Sequence, residues 1–173
     1  MKLSVHKTIR GKPTSAIDLD GRKWYESQGQ RVSLGYGWMN VEADWLDVFE
    51  LITTDGCATS AELSSDNRKE ETFVSRELLM VDIDSGMTIQ QLLEDDFYNA
   101  CGAGFYTTPS HTMDAHRFRI MFRTETPMTD SHLVKLLIVG LMRMYDHADP
   151  ACKDSTRIFY GTPNCVIKEC TRS

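Results

Sequence analysis

The stretch Leu78-Leu79-Met80-Val81-Asp82-Ile83-Asp84-Ser85-Gly86 is an apolar run that ends in two carboxylates and a turn. As a strand it sends alternate side chains to opposite faces, so Leu78, Met80, Asp82 and Asp84 share one face while Leu79, Val81 and Ile83 share the other. The two aspartates then point the same way at the C-terminal end of a buried strand, where sheets open to solvent and ligands bind. Paired carboxylates repel unless a cation lies between them, and hard oxygen donors suit magnesium or manganese. The competing reading of an Asp-x-Asp is a strand that simply runs into an acidic turn.

Downstream the pattern stays regular. Thr88 and Gln91 form a capping box, and Ile89, Leu92, Leu93 and Phe97 recur on one helical face until Cys101-Gly102 stops it. Gly104 to Thr108 is a short strand followed by the polar turn 107–112. In 116–123, Arg117, Arg119 and Arg123 alternate with Phe118, Ile120 and Phe122, the pattern of a half-buried strand with a basic face. A second helix spans about 130–145, with Leu133, Leu136, Leu137, Leu141 and Met144 on its apolar side, and 156–160 reads as the last strand. Strand, helix, strand, strand, helix, strand is the split βαβ order of ferredoxin-like and RNA-recognition-motif sheets. That order predicts an α+β fold with helices on one sheet face and the other face free for ligand, carrying Asp82, Asp84, Arg117 and Arg119.

Upstream, residues 1–67 read as an N-terminal α/β extension packed on a core of 68–173. Leu3 to Ile9 and Val32 to Tyr36 are strand-like, Asp20-Gly21 marks a tight turn, and Trp45, Val48, Phe49 and Ile52 sit at helical spacing. Residues 60–72 read as an exposed polar loop.

The 173 residues suit one sizeable domain, and 41% hydrophobic with 25% charged residues is ordinary for a globular protein. No apolar run is long enough to span a bilayer and no signal-peptide core opens the chain, so the expected location is cytoplasmic. A net charge of -6 argues against gripping nucleic acid by bulk electrostatics, but leaves room for local basic strips. Five cysteines at irregular spacing suit reduced thiols. His147, Cys152, Cys165 and Cys170 could in principle hold a structural zinc, though without the two-residue gap of a zinc knuckle.

Three segments carry a family resemblance. Met80 to Asp84 is similar to the first motif of the archaeo-eukaryotic primase superfamily. Phe105 to Phe122, with Thr-Thr-Pro-Ser-His-Thr and Arg-Phe-Arg, resembles the second motif of its phage and plasmid primase-polymerase branch. The segment 149–159 resembles the third, an aspartate followed by an Arg-containing strand. The resemblance covers about 68–164.

It implies an RNA-recognition-motif-like catalytic sheet and a nucleotidyltransferase that makes primers on a single-stranded DNA template from nucleoside or deoxynucleoside triphosphates, in a phage or plasmid of a bacterial or archaeal host. Two magnesium or manganese ions would be held by Asp82, Asp84 and Asp149, with Asp154 the rival third carboxylate. Ser110, His111, Arg117, Arg119 and Arg157 would bind the triphosphate, Arg119 and Arg157 ahead of Arg117. Ser110 and His111 are adjacent, whereas the family usually has one residue between serine and histidine, so His116 competes with His111. No P-loop occurs, which puts any replicative helicase on another chain or another part of a longer protein. The alternatives are a non-catalytic ferredoxin-like module binding single strands, which would need exposed aromatics on the open sheet, and a rolling-circle nuclease, which would need a closer histidine pair and a helical tyrosine.

Overall fold

In the computed structural model, which describes residues 1–145 and 147–169, the chain opens with β1 (Lys2–Arg10). A hairpin-like excursion of β2 (Thr14–Ile17), β3 (Lys23–Ser27) and β4 (Gln30–Val32) forms its own three-stranded antiparallel sheet. The turn at its first corner is built by Asp18, whose Oδ1 accepts from the backbone N–H of Asp20 and Arg22, and by Gly21 at φ +77°. β5 (Trp38–Glu42) and, after α1 (Trp45–Thr53), β6 (Cys57–Ser60) flank β1 in a second sheet. Asp44 caps α1 by accepting from Asp47 N, and Trp45, Val48, Phe49 and Ile52 are buried at the spacing the sequence shows.

The third sheet has the order β11-β9-β10-β8-β7. Its members are β7 (Glu62–Leu63), β8 (Phe73–Ile83), β9 (Gly102–Thr107), β10 (Phe118–Met128) and β11 (Ile167–Glu169). Between β8 and β9 lie α2 (Ile89–Glu94) and α3 (Asp96–Cys101), and α4 (Ser131–Met144) follows β10. The class is therefore α+β with antiparallel sheets, and β10 lies between β8 and β9 as the split βαβ order requires. The single helix expected over 88–101 is two, because Asp95 adopts extended backbone, ending α2 and capping α3 through Tyr98 N.

Three further expectations give way. The 156–160 segment does not join this sheet; Phe159 exchanges two 2.9 Å backbone hydrogen bonds with Thr59 and so extends the β5-β1-β6 sheet. The edge beside β9 is taken instead by β11, and the edge beside β8 by β7 from the supposed 60–72 loop. β5 at 38–42 replaces the strand read at 32–36, since Val32 ends β4 and Ser33 starts a turn.

The second sheet face is not free either. On one face Leu79, Val81, Ile83, Phe118, Ile120 and Phe122 meet α3 and α4 through the ring contacts Phe97–Phe122, Tyr98–Phe105 and Phe122–Tyr145. On the other, Met80 pairs Met121 and Leu78 pairs Arg123, and these apolar side chains need cover too. α1 supplies it: Arg123 lies 5.4 Å from the Trp45 ring, and Phe49 approaches Gly104, as does Met121. One buried apolar cluster thus draws on both halves of the chain, and a cavity lies at the Asp82 end of that face. No helix among the described residues is long and apolar enough to cross a membrane.

Candidate nucleotide and metal site

Asp82 lies on the last turn of the β8 pleat, opposite Arg119 of β10 and, one strand further, Tyr106 of β9. The chain returns to it after α4. Ala148 bridges Ile83, and Asp149 N donates to Asp82 O at 2.9 Å, which fastens the 148–149 segment to the end of β8. Asp149 then caps the 3-10 turn Pro150–Lys153 by accepting from Ala151 N, and Cys152 in that turn accepts from Asp82 N at 3.3 Å. One ligand atom from each of Asp82, Asp149 and Cys152 lies within 4.8 Å of the others. Among the described residues this is the group able to hold a metal ion.

Asp82 and Asp149 form part of the wall of a cavity of about 190 Å³, with Cys152 buried behind them. Asp84, Ser110, Arg117, Arg119 and Arg157 also line it, together with Lys12 from the β1–β2 corner and Tyr160. Asp84 is exposed at the rim, beyond the end of β8, and stands outside the close group. His111 does not line the cavity: its ring stacks edge-on against His116 at 5.3 Å, and its Nδ1 accepts from Arg117 N. His116 Nδ1 accepts from Ile89 N, so both histidines serve the loop before β10. Burial first, and then the neighbouring His116, lower the His111 pKa. Asp154 faces away: its Oδ1 accepts from Thr156 N and Oγ1, and its carboxylate lies 3.8 Å from Arg68. A larger cavity, about 480 Å³, sits by α4 and Asp154 and does not include Asp82.

Two of the arginines are already committed. Arg119 is buried, donates to Asp82 Oδ1, to the Tyr106 hydroxyl and to Tyr160 O, and lies over the Phe159 and Tyr106 rings. Burial alone would lower its pKa, but the Asp82 carboxylate, the Tyr106 hydroxyl and the hydrogen bonds to both raise it above the ordinary value. Burial pushes the Tyr106 phenol up to about 12. Arg157 pairs with Asp149 at 3.1 Å, while its buried Nε has no hydrogen-bond partner. Burial, reinforced by Asp82, pushes the Cys152 thiol up to about 11.

Sequence reading missed Lys12, Tyr106, Tyr160 and the place of Cys152 beside the carboxylates. Lys12 carried only the faint signal of a cation in a Gly-Lys-Pro corner, and Tyr106 that of a polar-tipped aromatic in a buried strand. For the zinc reading, Cys165 Sγ instead meets Thr53 O, and Cys170 lies outside the described residues.

No family model matches the chain, and no curated protein does. Among solved structures, the AEP domain of the cyanophage S-2L primase-polymerase (PP-N190) is similar over 98% of this chain and 81% of its own, with 11% identity and a TM-score of 0.48. That likeness is too distant to carry weight on function.

Proposed function

We propose that the chain is a template-dependent nucleotidyltransferase, a primase or primase-polymerase domain that joins a 3′-hydroxyl to the α-phosphorus of an incoming nucleoside triphosphate. The observation that carries this reading is the meeting of Asp82 and Asp149, far apart in the chain, in a cleft whose other walls include Lys12, Arg117 and Arg157. A set of three carboxylates and four cations is close to neutral, so a polyphosphate and its metal ions would enter it as a balanced pair.

The donors fit divalent cations: Asp82 and Asp149 as the close pair, Asp84 from the rim, with a buried thiol behind. Two such ions, when bound, stabilise the attacking and leaving oxygens. The chain's own residues do the rest. Arg157, whose Nε is unsatisfied, and Arg117 offer planar forks to phosphate oxygens, and Lys12 a mobile ammonium. Ser110, exposed at the mouth, adds a hydroxyl donor. Arg119 holds the Asp82 carboxylate in orientation and is a positioning residue. At about 190 Å³ the cavity is smaller than pockets that enclose whole ligands, which suits a site that holds the polyphosphate and leaves base and sugar to the template side.

The test is incorporation of labelled nucleotide on a single-stranded template with manganese or magnesium. Asp82→Asn and Asp149→Asn should each abolish incorporation while the protein stays folded. A parent chain that binds single strands but incorporates nothing with either metal would be a binding module instead. The cover that α1 gives the five-stranded sheet disfavours only a module that stacks bases on that sheet.

A further inference from the structure

The charge of the chain is unevenly divided. Residues 1–40 hold seven Lys and Arg against three Asp and Glu, in a protein whose net charge is -6. The excess is concentrated on the β2-β3-β4 sheet and its root, which hold Lys12, Arg22, Lys23 and Arg31, all exposed. On one face of this sheet the Arg31 guanidinium lies 5.6 Å from the Trp24 ring, and on the other the Lys23 ammonium lies 5.3 Å from the Tyr25 ring. Among the described residues the sheet pairs with no other, and Trp24 and Tyr25 belong to neither buried apolar cluster. Core packing therefore does not explain two half-exposed aromatics interleaved with cations.

From these placements we infer that the Trp24 face of the β2-β3-β4 sheet is the surface that receives the single-stranded nucleic acid, stacking bases on Trp24 while Arg31 and the exposed cations at the sheet's edge and root track the phosphates. The inference rests on the nucleotidyl-transfer reading for the identity of the strand as template. It is the chemistry that polyanions with flat faces require: aromatic rings take any base, and arginine adds a cationic plane above the ring. Charge complementarity favours this occupant over a protein partner, because the rest of the chain is acidic and would steer a strand toward this basic unit. Continuity with the cleft also favours it. Lys12, at the root of β2, lines the cavity beside Asp82. A strand on this sheet would thus lead into the site.

Fluorescence anisotropy with a labelled oligothymidylate, run in EDTA without triphosphate, tests this on the full chain. Trp24→Ala with Arg31→Ala should weaken binding at least tenfold, and Arg31→Ala alone should lower the slope of log affinity against log salt by about 0.7. Asp82→Asn should leave this binding unchanged. Trp38 and Trp45 are buried, so quenching of tryptophan emission by the oligonucleotide should come from Trp24. It should vanish in Trp24→Phe, which retains a stacking ring and should bind within about threefold of the parent. Folded Trp24→Ala/Arg31→Ala protein that binds as tightly as the parent, or quenching that survives Trp24→Phe, would overturn the inference. Failure of nucleotide incorporation would bear on the catalytic reading alone, since metal and triphosphate are absent here. An oligoribonucleotide in the same assay tells which sugar is preferred.

Discussion

Arg119 and Asp82 stand opposite each other on β10 and β8, both buried, their ion pair closed over by Tyr106 and Phe159. Such a pair is more costly to break than to replace, because either partner left alone is an uncompensated buried charge. Arg119→Met should cost about 3–5 kcal/mol of stability in urea unfolding. Asp82→Asn, which keeps an acceptor for Arg119, should cost about 1–3 kcal/mol, and Asp82→Leu with Arg119→Met should recover most of the single-variant loss. A double variant no more stable than Arg119→Met alone would show that the pair does more than compensate its own burial.

The cysteines differ in environment in a way that thiol chemistry reads directly. Cys101 is exposed at the end of α3, whereas Cys152 is buried and its thiol is pushed up to about 11. Against the ordinary value of 9.0, the thiolate fraction of Cys152 at pH 8 falls about a hundredfold. Iodoacetamide labelling mapped by mass spectrometry should therefore modify Cys101 well before Cys152. Equal rates at the two positions would mean that the 3-10 turn beside Asp82 opens readily.

The parts of the fold that are legible in the sequence are those where a local rule and the tertiary structure agree. The apolar run at 78–83 and the alternation in 117–122 yield β8 and β10, Thr88 caps the helix it precedes, and Asp82 and Arg119 share a sheet face as expected, though their direct pairing comes from the β8–β10 register. Partners chosen at long range were not legible. Strand character in 156–160 says nothing of which edge it joins, and two-residue β7 or three-residue β11 carries too few side chains to show a period. The cover that α1 gives the second sheet face follows from Met80 and Met121, which read equally well as the lining of an open face.

His6 makes the stability of the N-terminal sheet sensitive to pH. Its Nε2 donates toward Ser33 O and Tyr36 O, and its Nδ1 accepts from Thr8 N and Ile9 N, an arrangement that only the neutral ring can make. Burial is the main cause of its lowered pKa. The unfolded chain, with the ordinary value of 6.5, then binds the proton more readily than the folded one. The contribution of His6 is fully present above about pH 6.5 and is lost as pH falls from there toward the folded-state value. The melting temperature should drop between pH 7 and 5.5, and His6→Gln should flatten that part of the profile while lowering stability at pH 7.

The cleft itself was legible in its acidic, arginine and serine components. Asp82, Asp84, Asp149, Ser110, Arg117, Arg119 and Arg157 all line it, yet their individual surroundings could not be read. Burial turns Arg119 inward onto Asp82, and the contact between two histidine rings draws His111 away. Lys12 arrives from the far end of the chain on a corner whose direction depends on how β1 packs.

Asp149 and Asp154, five residues apart, should separate cleanly by experiment because they make different contacts. Asp149→Asn keeps the acceptor for Ala151 N and loses only a half-exposed pairing with Arg157, so stability should change by less than about 1 kcal/mol. Manganese affinity, measured by calorimetry, should nonetheless fall at least tenfold, since the carboxylate facing Asp82 is gone. Asp154→Ala should do the reverse. It removes the acceptor for Thr156 N and Oγ1 that anchors the entry to the Phe159 bridge, at about 0.5–2 kcal/mol, and leaves manganese affinity unchanged. Loss of manganese binding in Asp154→Ala with retention in Asp149→Asn would move the metal site to the Arg68 side of the segment, and the proposed nucleotide cleft with it.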